Sequence, residues 1–424
     1  MKRLHKIVAL TLCGFASWVA PTHANVVTEW NALAVQCINR PGAGAALDLA
    51  LVQAAVHDAI QAIEHRYAPY FATPPANGNE SRSAAAAAAA RRVLGTVCPS
   101  TAQPGLDAAL EPYVTGNDPG LAIGYSAGDA LLTKLRPTLA LPPFIGGTGP
   151  GEWRPTPPAN APMRDVYLAT TEPFVMTSPS QFRPGPPPTL ASDQYLRDYN
   201  EVKKIGAVES HPSVGACPAR KDTDMARFWS GGVVAPWNQA ARDIAVDRQL
   251  SLGDTARLLA LVNLAAADAG IAIWDSKLHY NYWRPITAIR EGANDGNEGT
   301  VGDINWTPFI QSSQFPAGSQ TPPYQDYVSG ANGLTGAYVT ALQLFFGTDR
   351  VPFEIYKTTP ASVAICTNPR TYRRFSAAAD EVVNARILLG IHFRTADVEA
   401  RQLGTRIGFW TFFRTLRPLS RHQP

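Results

Sequence analysis

Apolar residues recur at helical spacing along most of this chain, and alternating strand-like stretches are scarce. Over residues 45–63, Leu47, Leu51, Ala54, Val56, Ile60 and Ile63 fall on one helical stripe. The alanine-rich run 83–97 predicts a tightly packed helix, because alanine is the best helix former; Arg91 and Arg92 sit near its end, where cations suit the helix dipole. Further helices are predicted at 101–113, 121–135, 193–204, 222–229 and 239–250. A long one is predicted over 254–289, followed by 330–346, 371–389 and 395–416. Between them, residues 137–188 change to proline, glycine and short polar runs, too long for a simple connection. Trp153, Tyr167, Phe174 and Phe182 give that segment surface to bury, so it reads as an ordered loop over a helical body rather than a linker. The pattern predicts an all-α helical bundle.

Composition adds limits. The chain has 424 residues, 45% of them hydrophobic and 17% charged, which fits a globular protein with a large core. A formal charge of +3 on that length gives no case for nucleic-acid binding or a membrane-surface role. The N-terminus reads as a signal peptide over residues 1–24: Lys2, Arg3 and Lys6, then an apolar stretch over 7–20, then Thr22-His23-Ala24 as a small-x-small cleavage site. The expected mature chain is a single helical domain over 25–424, exported to the periplasm or secreted, with no later segment apolar enough to span a bilayer. Cys37, Cys98, Cys217 and Cys366 remain after cleavage, an even number that suggests two disulfides. Proximity along the chain favours Cys37–Cys98 and Cys217–Cys366, and the absence of C-x-x-C spacing argues against zinc.

Three separated segments carry candidate chemistry, all within 254–416. In the first, Lys277 and Arg284 lie seven residues apart, about 10 Å along one face of a continuous helix. Such a pair is commonly a solvated face, but the preceding run 258–274 is nearly all apolar. Buried cations need partners, and a shared anion would satisfy both. In the second, Pro322-Pro323 precede Ser329-Gly330 at the start of a predicted helix, where unpaired N–H groups and a hydroxyl can hold an anion. In the third, Arg386 and His392 are six apart, on different faces of an ideal helix, until Gly390 ends the helix and lets His392 turn back. The pair His57-Asp58, in an apolar helix, reads as a structural hydrogen-bonding pair.

Together the segments resemble the vanadium-dependent haloperoxidases and the related type 2 acid phosphatases, in their exported bacterial haloperoxidase-like branch. That family's pattern is Lys, six residues, Arg-Pro; then Pro-Ser-Gly-His; then Ser-Arg, five residues, His. Lys277 with Arg284-Pro285, then Ser329-Gly330, then Arg386 with His392 follow it in order. The resemblance implies that Lys277, Arg284, Arg386, Ser329 and the Gly330 N–H clamp a vanadate or phosphate. It implies that His392 is either the vanadium ligand or the nucleophile of a phosphatase. The implied activity is a haloperoxidase using vanadate as cofactor, with hydrogen peroxide and halide as substrates. The alternatives are an exported phosphatase or diphosphatase acting through His392, and a non-catalytic oxyanion binder. Departures from the pattern matter. Ala331 stands where the family has its general acid/base histidine, Val328 replaces the proline, and Ala385 replaces the serine. Ala396 occupies the place of a later aspartate, with Asp397 next. Loss of a positioned acid or base costs roughly 10²–10⁴-fold in rate, so altered or weakened activity is expected. His279 and Asp326 are the nearest residues that could substitute, with His279 roughly opposite Lys277 on an ideal helix.

Overall fold

The computed structural model describes residues 25–419 except 39, 41, 72, 137–139, 213–216, 218–219 and 358–362. The signal peptide expected at 1–24 lies outside the described residues. A first group of helices comprises α1 (Val26–Cys37), α2 (Ala43–Glu64), α3 (Arg82–Val97), α4 (Gln103–Leu110) and α5 (Gly120–Leu132). The second comprises α6 (Asp193–Ile205), α7 (Lys221–Phe228), α8 (Val234–Asp247), α9 (Leu252–Tyr280), α10 (Pro285–Arg290), α11 (Gly330–Phe346), α12 (Phe375–Leu388) and α13 (Arg394–Arg414). The architecture is all-helical, as the periodicity predicts. The described residues add one small antiparallel pair, β1 (Phe353–Ile355) and β2 (Arg370–Tyr372), with Phe353 opposite Tyr372. That pair corrects the helix predicted at 371–389, which begins only at Phe375; residues 370–372 are taken by the strand.

Helices α2 and α9 pack on each other at the centre, joining the two groups around one core. Both are long and apolar enough to cross a membrane by composition, contrary to the sequence expectation. Their surfaces are spent instead on the bundle interior, where nearly every residue of the most apolar stretch of each helix is buried. The alanine run of α3 permits close approach: a Cβ on Gly124 of α5 would collide with the α3 backbone at Ala85. A similar seam joins α11 and α13. A Cβ on Gly336 would strike the Arg401 carbonyl, and one on Gly404 the Gly333 carbonyl. Because Gly333 meets Gly404 while Thr340 meets Gly408, and Ser329 N–H donates to Ala396 O at 3.0 Å, the two helices run parallel.

The predicted continuous helix over 254–289 breaks, which is the main correction. Asn281 closes α9 in the left-handed conformation (φ 45°, ψ 40°), a geometry its side chain tolerates better than most. Arg284 then adopts extended backbone (φ −86°, ψ 155°), as expected of a residue before proline, and Pro285 opens α10. Lys277 and Arg284 therefore belong to different helices, and the turn between them brings them together in place of a shared face.

The Pro/Gly-rich segment is an ordered cover, as predicted. Its backbone pairs with the helix break, Trp153 N–H donating to Asn281 O at 2.7 Å and Trp283 N–H to Gly151 O at 2.9 Å. Asp268 of α9 accepts from the N–H groups of Phe174, Val175 and Met176 at 2.6–2.8 Å. The disulfides are Cys37–Cys98 and Cys217–Cys366, the pairing favoured from sequence, with Cα–Cα distances of 5.5 and 5.6 Å. His57 bonds Asp58 at 3.2 Å, while Asp58 holds the N–H groups of Tyr70 and Phe71, a structural role as expected.

Candidate functional site

All the predicted cradle side chains are buried, and each is aimed by the end of an element. Lys277 lies in the last turn of α9, Arg284 immediately precedes α10, and Arg386 lies in the last turn of α12. Gly390, at φ 73°, turns the chain so that His392 comes back beside Arg284, fulfilling the glycine argument. Ser329 and Gly330 open α11, and His392 lies two residues before α13. Neither helix has a capping side chain on its first amides, so two positive helix ends meet beside the cations.

The contacts define a chain of donors and acceptors. Lys277 Nζ donates to the carbonyls of Gln325 (2.5 Å) and Asp326 (3.2 Å) and stands 4.9 Å above the Tyr324 ring. Arg284 Nε donates to Tyr324 O at 2.7 Å, and its Nη1 donates to Ile391 O at 2.6 Å. The same Nη1 lies 3.1 Å from His392 Nε2, while His392 Nδ1 lies 2.8 Å from Asp326 Oδ1. The same Nη1 is 3.3 Å from Nδ1, so it stands beside the ring and not on one lone pair; with Asp326 Oδ1 as the acceptor, the ring proton is assigned to Nδ1. This assignment leaves a neutral imidazole whose Nε2 lone pair is available. Arg386 Nη2 donates to Gly231 O at 2.9 Å, and Asn332 Nδ2 donates to Asp397 Oδ1 at 2.6 Å.

Burial governs the electrostatics. It pushes the Lys277 ammonium well below its ordinary range, with the Arg284 charge adding to the effect. It also lowers Arg284 and Arg386. Burial, then the Arg284, Lys277 and Arg386 charges, hold His392 well below the usual imidazole range. Asp326 is raised well above the carboxylate range by burial, although Arg284 and Lys277 pull the other way. Asp397 is pushed up to about 7 by burial, against hydrogen bonds from Ser329 and Asn332. Several buried polar atoms have no protein partner: Arg284 Nη2 and Arg386 Nε as donors, Asp326 Oδ2 and Asp397 Oδ2 as acceptors. Unsatisfied donors on two buried guanidinium groups are what an oxyanion would fill, so the residues present fit a vanadate or phosphate group.

Some residues stand differently from their sequence reading. His279 is exposed and its Nδ1 contacts Arg183 at 3.2 Å, so it takes no part in the cradle. Asp326 does, through His392. Asp397, one place later than the family aspartate, is fully buried on Asn332 and close enough to Lys277, Arg284 and Arg386 to affect each. Tyr324 and Asn332 escaped sequence reasoning; their only signal is their position within the 322–333 segment. Ala331 is half-buried in the first turn of α11, with no titratable group of its own.

Fold and site together define a helical bundle enclosing a cradle of three cations and one neutral imidazole. A family model, the VCPO second helical-bundle domain, matches residues 257–420. The vanadium chloroperoxidase of Curvularia inaequalis is 26% identical over a match covering 42% of this chain. That match spans about a third of the fungal protein's length (32%). The first bacterial vanadium-dependent iodoperoxidase to be solved shares the fold at a TM-score of 0.73 and 22% identity, covering 94% of this chain and 97% of the other. The apo form of a bacterial vanadium-dependent chloroperoxidase gives 0.65 and 17%, covering 87% and 92%. Residues 257–420 thus match the second helical-bundle domain of that family model, and the chain as a whole shares the fold of the bacterial vanadium-dependent haloperoxidases.

Proposed function

We propose that this protein is a vanadate-dependent haloperoxidase-type enzyme acting outside the cytoplasm. The observation that carries the reading is the buried convergence of Lys277, Arg284, Arg386 and His392, with donor atoms on both arginines left unmatched by protein. Lys277, Arg284, Arg386, the Ser329 hydroxyl and the Gly330 N–H would hold vanadate oxygens, and His392 Nε2 would face the metal. When bound, vanadate supplies a Lewis acid that activates hydrogen peroxide toward halide oxidation. The chain's own contribution is positional: Asp326 holds the His392 proton on Nδ1, Arg284 braces the imidazole, and the Pro/Gly-rich cover excludes water. With Ala331 in place of an acid or base, turnover is expected to be weak. The signal-like N-terminus and the two disulfides support an oxidising compartment.

The test is vanadate titration of the purified protein, with peroxide-dependent halide oxidation and phosphate release assayed side by side. Halide oxidation that requires vanadate supports the proposal. Phosphate release inhibited by vanadate, without halide oxidation, would replace it by a phosphatase or diphosphatase using His392. Binding with neither activity would leave an oxyanion binder.

A further inference from the structure

The nearly balanced total charge hides an uneven distribution. Residues 401–424 hold five arginines (Arg401, Arg406, Arg414, Arg417 and Arg421) and no aspartate or glutamate. Most of that stretch is α13, which turns Leu403, Gly404, Ile407, Gly408 and Thr411 inward. Gln402, Arg406, Phe409 and Phe413 are exposed, and steps of four, three and four place them on a single outward stripe.

Two large rings lie bare on this stripe. Phe409 is 46% and Phe413 52% exposed, and they stack with centroids 6.4 Å apart. Cations surround them: Arg417 stands 5.7 Å over the Phe413 ring, and Arg414 stands 4.3 Å over Trp410. Arg406, Arg414 and Arg417 are all exposed, and none forms an ion pair with a described residue. Acids beside the stripe are already engaged, Asp380 by Arg401 and Asp254 by Arg66. Glu399, earlier on the helix, is half-buried and precedes the acid-free stretch. A groove of about 660 Å³ between α12 and α13 reaches Arg406. Of its three arginines, Arg394 is taken by Glu201 and Arg401 by Asp380, which leaves Arg406 for an incoming anion.

We infer that this outer face of α13 docks on an anionic phospholipid surface, with Phe409 and Phe413 entering the headgroup layer and Arg406, Arg414 and Arg417 meeting lipid phosphates. A second copy of the chain is disfavoured, because the same acid-free cationic stripe would face itself. An acidic protein would answer the arginines but leave the rings without an apolar partner. A phospholipid surface supplies both, an anionic plane with an apolar layer directly behind it. Phe409 lies roughly 22 Å along the axis from the start of α13, so docking leaves the cradle end of the helix free.

The test is co-sedimentation of the mature protein, Asn25 to Pro424, with vesicles. The apolar leader expected at 1–24 must be absent, since it would bind lipid on its own. Vesicles containing phosphatidylglycerol should bind at least about tenfold more tightly than pure phosphatidylcholine, and added salt should weaken the binding. Replacing Phe409 and Phe413 together by serine should lower that affinity by about tenfold or more. Both side chains are exposed, so the thermal melt should stay at the parent value. Changing Arg406, Arg414 and Arg417 to glutamine should abolish the preference for the anionic vesicles. Equal binding to both vesicles overturns the inference, as does binding that the serine variant leaves unchanged. Binding of polyglutamate without binding of either vesicle overturns it in favour of an acidic protein partner.

Discussion

Arg284 and Arg386 carry the same charge into the cradle, but their surroundings make different demands on them. Arg284 holds Tyr324 O and Ile391 O and stands 3.1 Å from His392 Nε2, whereas Arg386 holds one carbonyl, Gly231 O. Arg284→Ala should therefore destabilise the fold by about 3 kcal/mol or more, through buried acceptors left unpaired. A thermal melt within a degree of the parent would contradict this. Arg386→Ala should melt close to the parent yet lose roughly 10²-fold in phosphate affinity by calorimetry, the loss of a charge-assisted contact. At Ala331, substitution by histidine should raise turnover by roughly 10²–10⁴-fold if the missing acid limits the reaction; steady-state rates on both candidate substrates check it. The cradle residues were legible because their types and spacing are distinctive. The Asp326–His392 pairing was not, because it depends on a ring orientation that no spacing encodes.

At the level of elements, periodicity located nearly every helix and misjudged how they end. Asn281 and Pro285 are visible signals, yet a run of apolar residues on either side made a continuous helix the simpler expectation. The break, once formed, needs support from the covering segment, which is why a stretch with so little regular structure is held so firmly. Asp268 is the anchor on that side. Burial pushes its carboxyl up to about 6, outweighing the three backbone N–H donors and Arg136, from an ordinary value of 3.8. Its folded pKa is the higher one, so the unfolded chain loses this proton first. The associated stability is full below about pH 4 and is lost as pH rises through about 6. Asp268→Asn should flatten that part of the stability profile. It should also cost about 2 kcal/mol at neutral pH, since an amide NH₂ now faces backbone N–H donors. Denaturant titrations between pH 4 and 7 measure both effects, and a variant profile sloped like the parent's would refute the assignment.

Across the whole molecule, the family model reaches only residues 257–420, while the shared fold extends over both helical groups. Helix α2 ties them, since it packs on α9 from the first group. The disulfides brace each region: Cys37–Cys98 closes 61 residues of the first, and Cys217–Cys366 closes 149 around α7 to β1. Replacing Cys37 and Cys98 by serine should lower stability by about 2–4 kcal/mol while leaving anion affinity within about threefold, because no cradle residue lies inside that loop. Chemical denaturation and calorimetry on the same variant separate the two effects. Cysteine count and order made this bracing legible, whereas the meeting of two bundles is a matter of which faces pack and left no mark in the periodicity.

The glycine seam between α11 and α13 has a further consequence. Parallel neighbours align their dipoles unfavourably, and only an approach close enough to exclude side chains makes the arrangement tolerable through packing. Both helices begin at the cradle, so an arriving anion would relieve a repulsion spread over two backbones. Attraction for the ligand is thereby partly a collective property of the main chain, which no single side-chain deletion removes. Loss of individual cations should grade the affinity downward in steps, and the amides of the first turns of α11 and α13 should slow their hydrogen exchange together when phosphate binds.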